Sequence, residues 1–229
     1  MLECSFVNRT PTAWILLRCL RVSVVKFSPE SFSLTQGEPG WPVRLDKRLG
    51  ADAPAHLHLL GSPELLAPPL TALLCSTHCP GAAILRAYDQ AARWRDAERP
   101  VISGFHSPME KECLRILLRG PQPIVLCPAR GLPARLAPEL HAPLAARRLL
   151  VLSPFSGDER RVTRELADYR NLVVAALADE VWFAHLTPGG QMARLAPRVA
   201  AWAESPSRVQ LPPTSAAVVI SPADRERSE

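Results

Sequence analysis

The stretch Val101-Ile102-Ser103-Gly104-Phe105-His106-Ser107-Pro108-Met109-Glu110-Lys111-Glu112-Cys113-Leu114 changes its periodicity half-way along. The first residues form an apolar run suited to a strand covered on both faces, and the last begin an amphipathic helix. Ser107 is a good helix N-cap, Pro108 falls at the first helical position, and Glu110 stands three residues after the cap, the spacing of a capping box. Leu114, Leu117 and Leu118 then recur on one face, which packs that helix on a sheet. His106 and Ser107 are thereby placed where a strand ends and its helix begins.

The same alternation repeats on both sides of this stretch. Apolar runs suited to buried strands lie at 70–76, 101–105, 123–129, 149–154 and 180–186, with a weaker one at 208–211. Helical segments lie between them at 81–97, 108–119, 137–147, 162–177 and 190–203. Strand and helix in this order predict right-handed crossovers and an α/β domain of three layers, a mostly parallel sheet flanked by helices. Residues 1–35 lack clean periodicity and read as a leader, partly disordered, or as sequence upstream of the natural start. Residues 36–211 make the domain, and 212–229, rich in Pro, Ser and charge, read as a disordered tail.

Composition fits one sizeable core, with 229 residues of which 47% are hydrophobic. The net charge of +5 comes from 27 basic against 22 acidic residues, an excess that permits an anionic partner without demanding one. The six cysteines are scattered, several inside apolar runs, which suits a reducing cytoplasm. The early apolar run at 13–21 is interrupted by Arg18 and Arg21 and is too short to span a bilayer, so no membrane association is expected. Cys75, Cys79, His78 and His106 do not have a zinc spacing, and neither a metal nor a cofactor is expected.

In an open parallel sheet, ligands bind beyond the carboxyl ends of the strands, where helix N-termini expose N–H groups. The small and hydroxyl residues of this chain collect at those ends: Cys75-Ser76-Thr77-His78, Gly104-Phe105-His106-Ser107, Ser153-Pro154-Phe155-Ser156 and Thr187-Pro188-Gly189-Gly190. Such turns let backbone approach an anion closely and suit a phosphate, although tight turns need Gly, Pro and Ser in any case. No G-x-G-x-x-G follows a strand and no G-x-x-x-x-G-K-[ST] occurs, which rules down a dinucleotide fingerprint or P-loop.

Four segments resemble the DNA-processing protein A family, DprA or Smf, over about residues 40–210, and through it the wider Rossmann-like group that includes the LOG phosphoribohydrolases. Trp41-Pro42-Val43-Arg44-Leu45 with the later Ala53 to Leu66 run is similar to that family's opening pattern and its proline-led strand. Leu73-Leu74-Cys75-Ser76-Thr77 falls where the family has a strand ending in Gly-Ser-Arg, and Val101-Ile102-Ser103-Gly104 matches its Val-Val-Ser-Gly. Tyr169-Arg170-Asn171-Leu172 is similar to its Arg-Asn-Arg helix. The chain departs from the pattern in having Thr77 and Leu172 where the family has arginines, and in its turns at 105–107 and 187–190.

The resemblance implies a Rossmann-like domain that binds a nucleotide or single-stranded DNA and acts in DNA processing and recombination without catalysis, with a recombinase partner and a homodimer as further expectations. The expected contacts are Ser76 and Thr77 after one strand, Gly104, Phe105, His106 and Ser107 after the next, and Pro188, Gly189 and Gly190 after a third. Arg170 and Asn171, at helical spacing from Arg164, are implied to face the same anion. Phe105 and Phe155 are the stacking candidates. Ten further cations from Lys111 to Arg164 track a phosphate backbone if they share a face, and are solvated charges otherwise. One alternative is a LOG-like phosphoribohydrolase acting on nucleoside monophosphates. It needs a carboxylate that the Gly189-Gly190-Gln191-Met192 turn does not supply, and Glu110 and Glu112 read as helix-surface residues. The other alternative is a nucleotide-sensing scaffold for a protein partner.

Overall fold

The computed structural model describes residues 31–202 and 208–213. The expected leader up to residue 30, the run at 13–21 and the tail beyond 213 lie outside the described residues. Eight strands form one sheet: β1 (Ser31–Thr35), β2 (His56–Gly61), β3 (Thr71–Leu74), β4 (Val101–Ser103), β5 (Ile124–Leu126), β6 (Leu149–Ser153), β7 (Glu180–Phe183) and β8 (Val209–Gln210). Their spatial order is β1-β2-β6-β5-β4-β3-β7-β8, with β3 to β8 parallel and β1 and β2 antiparallel to their neighbours. The helices are α1 (Val43–Leu49), α2 (Gly81–Asp96), α3 (Pro108–Leu118), α4 (His141–Ala145), α5 (Arg164–Leu177) and α6 (Gln191–Trp202).

The three layers follow from residues that alternate across a sheet covered on both sides. Leu149 and Val151 of β6 point into one apolar cluster with Ala87, Ala91 and Trp94 of α2 and Cys113 and Leu117 of α3. Leu150 and Leu152 point into the opposite cluster, with Leu45 of α1, the run 172–177 of α5, and Met192, Ala196 and Val199 of α6. Each leucine fully buried this way contributes about 1.5–3 kcal/mol relative to an exposed one. α3 starts as its sequence dictates: Ser107 Oγ accepts from the Glu110 amide at 3.2 Å and the Glu110 carboxylate accepts from the Ser107 amide at 3.0 Å. Leu114 and Leu117 are buried and Leu118 is half-buried.

Three elements differ from expectation. The last residues of the expected leader, Ser31–Thr35, are an edge strand paired with β2. Val43–Leu49 is a short helix that sets Leu45 and Leu49 on the core. The expected helix at 137–147 is a 3-10 turn, Pro138–Leu140, followed by the five residues of α4, and Arg147 at φ 56° ends it by leaving helical space.

Two arginines of α1 hold the end of α5. Arg48 donates to the carbonyls of Ala176, at 2.9 Å, and Ala178. Arg44 donates to Leu177 O at 2.9 Å and pairs with Asp179 at 2.6 Å. Guanidinium groups at a helix C-terminus satisfy its orphan carbonyls and complement its dipole. α5, which carries Arg170 and Asn171, is thereby fixed against the sheet.

Candidate anion site at the strand ends

β3 and β7 are neighbours, yet their connections diverge: α2 leaves β3 for one face of the sheet and α6 leaves β7 for the other. A crevice opens at such a switch point, beyond the carboxyl ends of the strands. Ser76 ties the two loops together, its amide donating to His185 O at 3.1 Å and its hydroxyl accepting from the Thr187 amide at 2.9 Å. The resulting hollow of 540 Å³ is lined by loops 75–78, 106–110 and 187–192 and by one face of α5, Arg164, Ala167, Arg170 and Asn171. That size lies within the roughly 300–1,000 Å³ of small-ligand sites.

The floor of the hollow is charged. Arg170 is 4% exposed, donates one hydrogen bond, from Nη1 to Cys127 O at 3.0 Å, and makes no ion pair among the described residues. Its Nε is buried without a partner. A guanidinium out of water and without a counter-ion is costly, and an anion entering the hollow would offset that cost. Gly104 explains how it fits: a Cβ there would lie 1.3 Å from Arg170 Nη1 and 2.0 Å from Cζ. The side chain of Asn171, a residue 9% exposed, makes no hydrogen bond among the described residues. Beside them, burial pushes the Asp168 carboxyl up against the opposing pull of Arg164 and Arg194. The Gln191 side chain lies beside the Asp168 carboxyl and also opposes that rise.

The structure brings together Ser76, Thr77, His106, Ser107, Arg170, Asn171 and Gly190 in the lining. Gly104, Phe105, Pro188 and Gly189 stand outside it, Gly104 as the space that Arg170 fills. Phe105, expected to stack on a base, is 4% exposed and packs in the core with Met109 and Leu117. Phe155 is 7% exposed and lies against Tyr169 with ring centroids 5.9 Å apart. Neither presents a free ring. Leu172, where the resemblance has an arginine, is 8% exposed and points into the core, so a cation at this position would not reach the hollow.

His106 and Ser107, expected as contacts of the anion, line the hollow, and their backbone amides both donate to Glu110 Oε2 at 3.0 Å. Glu110 is itself 5% exposed and lines the hollow, which corrects its reading as a helix-surface residue. Its capping position was written in the sequence; its place in the hollow arises where loops 75–78 and 187–192 line the same space. Glu112, by contrast, does lie at the surface and pairs with Arg115. The expected cation track is dispersed: Arg147 reaches Ser62 and Glu64, Arg148 donates to Leu118 O, and of the ten only Arg164 lines the hollow.

A larger hollow of 850 Å³ lies against β1 and α4, lined mainly by Leu60, Leu132, Leu136 and Leu144. It holds no buried charge. Among the described residues there is no group of His, Cys, Asp and Glu able to hold a metal, and no helix long and apolar enough to cross a membrane.

No protein-family model matches the sequence, and no curated protein matches it. Solved structures do. DNA processing protein A from Streptococcus pneumoniae superposes over 76% of this chain with a TM-score of 0.61 at 19% identity. DNA processing protein A from Helicobacter pylori, described for its single-stranded-DNA-binding mode, superposes over 76% with a TM-score of 0.59 at 19% identity. The chain spans 60% of the first protein and 77% of the second. Over about three quarters of its length, the chain therefore has the α/β fold seen in DNA processing protein A.

Proposed function

We propose that the switch-point hollow binds the phosphate of a nucleotide or of single-stranded DNA and does so without catalysis. One observation carries the proposal: Arg170 sits on the floor of the hollow, buried and without a counter-ion, in space that Gly104 leaves open. Arg164 at the rim and the unpartnered amide of Asn171 supply further donors to the same place. The likeness in fold to a single-stranded-DNA-binding protein supports the same ligand class. The wider role proposed with it, DNA processing beside a recombinase, rests on the shared fold, and a fold does not by itself carry activity.

The test is a titration of a fluorescent single-stranded oligonucleotide at several salt concentrations, beside the Arg170→Met variant. Counterion release predicts a log–log slope of about −0.7 per phosphate neutralised, and the variant should lose most of the affinity. Absence of binding at low salt, or equal binding by both proteins, would overturn the proposal.

A further inference from the structure

Glu110 is a carboxylate in a hollow read as an anion site, and its two oxygens are in different situations. Oε2 is fully engaged, accepting from the amides of His106 and Ser107 at 3.0 Å each. The other oxygen accepts no hydrogen bond from the described residues and is not among the buried atoms left without a partner, so in a residue 5% exposed it opens onto the hollow that Glu110 lines. Its charge is felt nearby: after burial, the Glu110 carboxylate helps push the thiols of Cys75 and Cys113 up. A carboxylate oxygen accepts and never donates while ionised, so only a donor satisfies it. It also repels a phosphate placed close to it. The lining therefore combines groups of opposite character, a buried cation at Arg170 with Arg164 at the rim, and an acceptor at Glu110.

We propose that Glu110 determines which phosphorylated ligand this hollow takes: its free oxygen accepts a hydrogen bond from a sugar hydroxyl or a base amino group of a molecule whose phosphate lies on Arg170. The inference rests on the phosphate reading above. The ligand class it names is a nucleotide unit, free or within a strand, in preference to bare phosphate. One end neutralises the guanidinium and the other satisfies the carboxylate, and only a molecule bearing both an anion and a neutral donor does both.

Glu110→Gln is a selective test. The glutamine oxygen can still accept from the two amides and keep the cap, while its amino group turns the free acceptor into a donor. Calorimetric titration would compare wild type and variant with inorganic phosphate, ribose 5-phosphate, AMP, dAMP and dTMP. Wild type should bind AMP more tightly than phosphate, and the variant should weaken AMP by about tenfold or more, as loss of a charge-assisted hydrogen bond implies. Phosphate itself should bind the variant at least as well as wild type.

A loss confined to AMP and ribose 5-phosphate assigns the 2′-hydroxyl, a loss shared by all four sugar phosphates assigns the 3′-hydroxyl, and a loss shared by AMP and dAMP but absent for dTMP assigns the base amine. If the variant binds every ligand as wild type does while Arg170→Met loses phosphate, the role of Glu110 is overturned and the anion site stands. If wild type binds none of them, both fall. Should Glu110→Gln fail to fold, wild type decides: equal affinity for phosphate, ribose 5-phosphate and the mononucleotides overturns the inference.

Discussion

Gly104 and Arg170, 66 residues apart in the chain, occupy one another's space: the position a Cβ of Gly104 would take lies 1.3 Å from the Arg170 guanidinium. Gly104→Ala must displace the guanidinium, since the strand end behind it is backbone packed in a buried sheet. Overpacking of this kind costs about 1–3 kcal/mol. We expect a melting temperature several degrees lower and at least a tenfold loss of affinity for single-stranded DNA. A variant with wild-type affinity would show that Arg170 does not set the site.

Removing the charge should separate stability from binding. Arg170→Met fills similar space without a buried, unpaired cation, so the unliganded fold should melt no lower than wild type even though the bond to Cys127 O is lost. Phosphate should raise the melting temperature of wild type and leave the variant unmoved; a free phosphate concentration of one hundred times Kd is worth about 2.7 kcal/mol. Melting curves with and without phosphate check both halves, and a variant that melts much lower would mean that Arg170 is chiefly structural.

What the sequence disclosed and concealed follows from the same physics. Leu149 to Leu152 read as a strand because burial on both faces leaves no polar residue to break the run. Ser31–Thr35 alternates polar and apolar residues, but five residues at a sheet edge, mostly exposed, gain their structure from pairing with β2 and not from their own pattern. α1 spans two turns and has only Leu45 and Leu49 to mark its buried face. In the site, the resemblance pointed to Arg170 and Asn171, whereas Phe105 misled because its place after a strand end suggests exposure. At φ 45° its backbone turns the ring back into the core. No local pattern distinguishes a capping glutamate facing solvent from one facing a hollow, and Glu110 was misread for that reason.

Arg48 should be a stability residue whose loss reaches the site only indirectly. Its guanidinium meets the last carbonyls of α5, and Arg48→Ala exposes those acceptors without a donor. A hydrogen bond from a charged group contributes about 1.5–3 kcal/mol, so the unfolding free energy should fall by that much and the urea midpoint by that amount divided by the m-value. Arg48→Lys keeps the charge but not the fork and should recover only part of it. A midpoint unchanged in Arg48→Ala would leave the anchoring of α5 to Arg44 and its pair with Asp179.

Alkaline pH should weaken the fold through its buried thiols. Burial pushes Cys113 and Cys127 from an ordinary 9.0 up to about 12, against a small opposing pull of Arg170 on Cys127. The folded state then holds two protons that the unfolded chain releases above about pH 9, so their stabilising contribution is complete below that pH and is lost as pH rises toward 12. Two such groups account for about 2 kcal/mol between pH 9 and pH 10. Cys75, also pushed up by burial, acts in the same direction. Urea midpoints at pH 8, 9 and 10 measure the loss, and the Cys113→Ala, Cys127→Ala double variant should flatten the curve. A wild-type midpoint constant over that range would show that these thiols ionise as freely in the folded protein as in the unfolded chain.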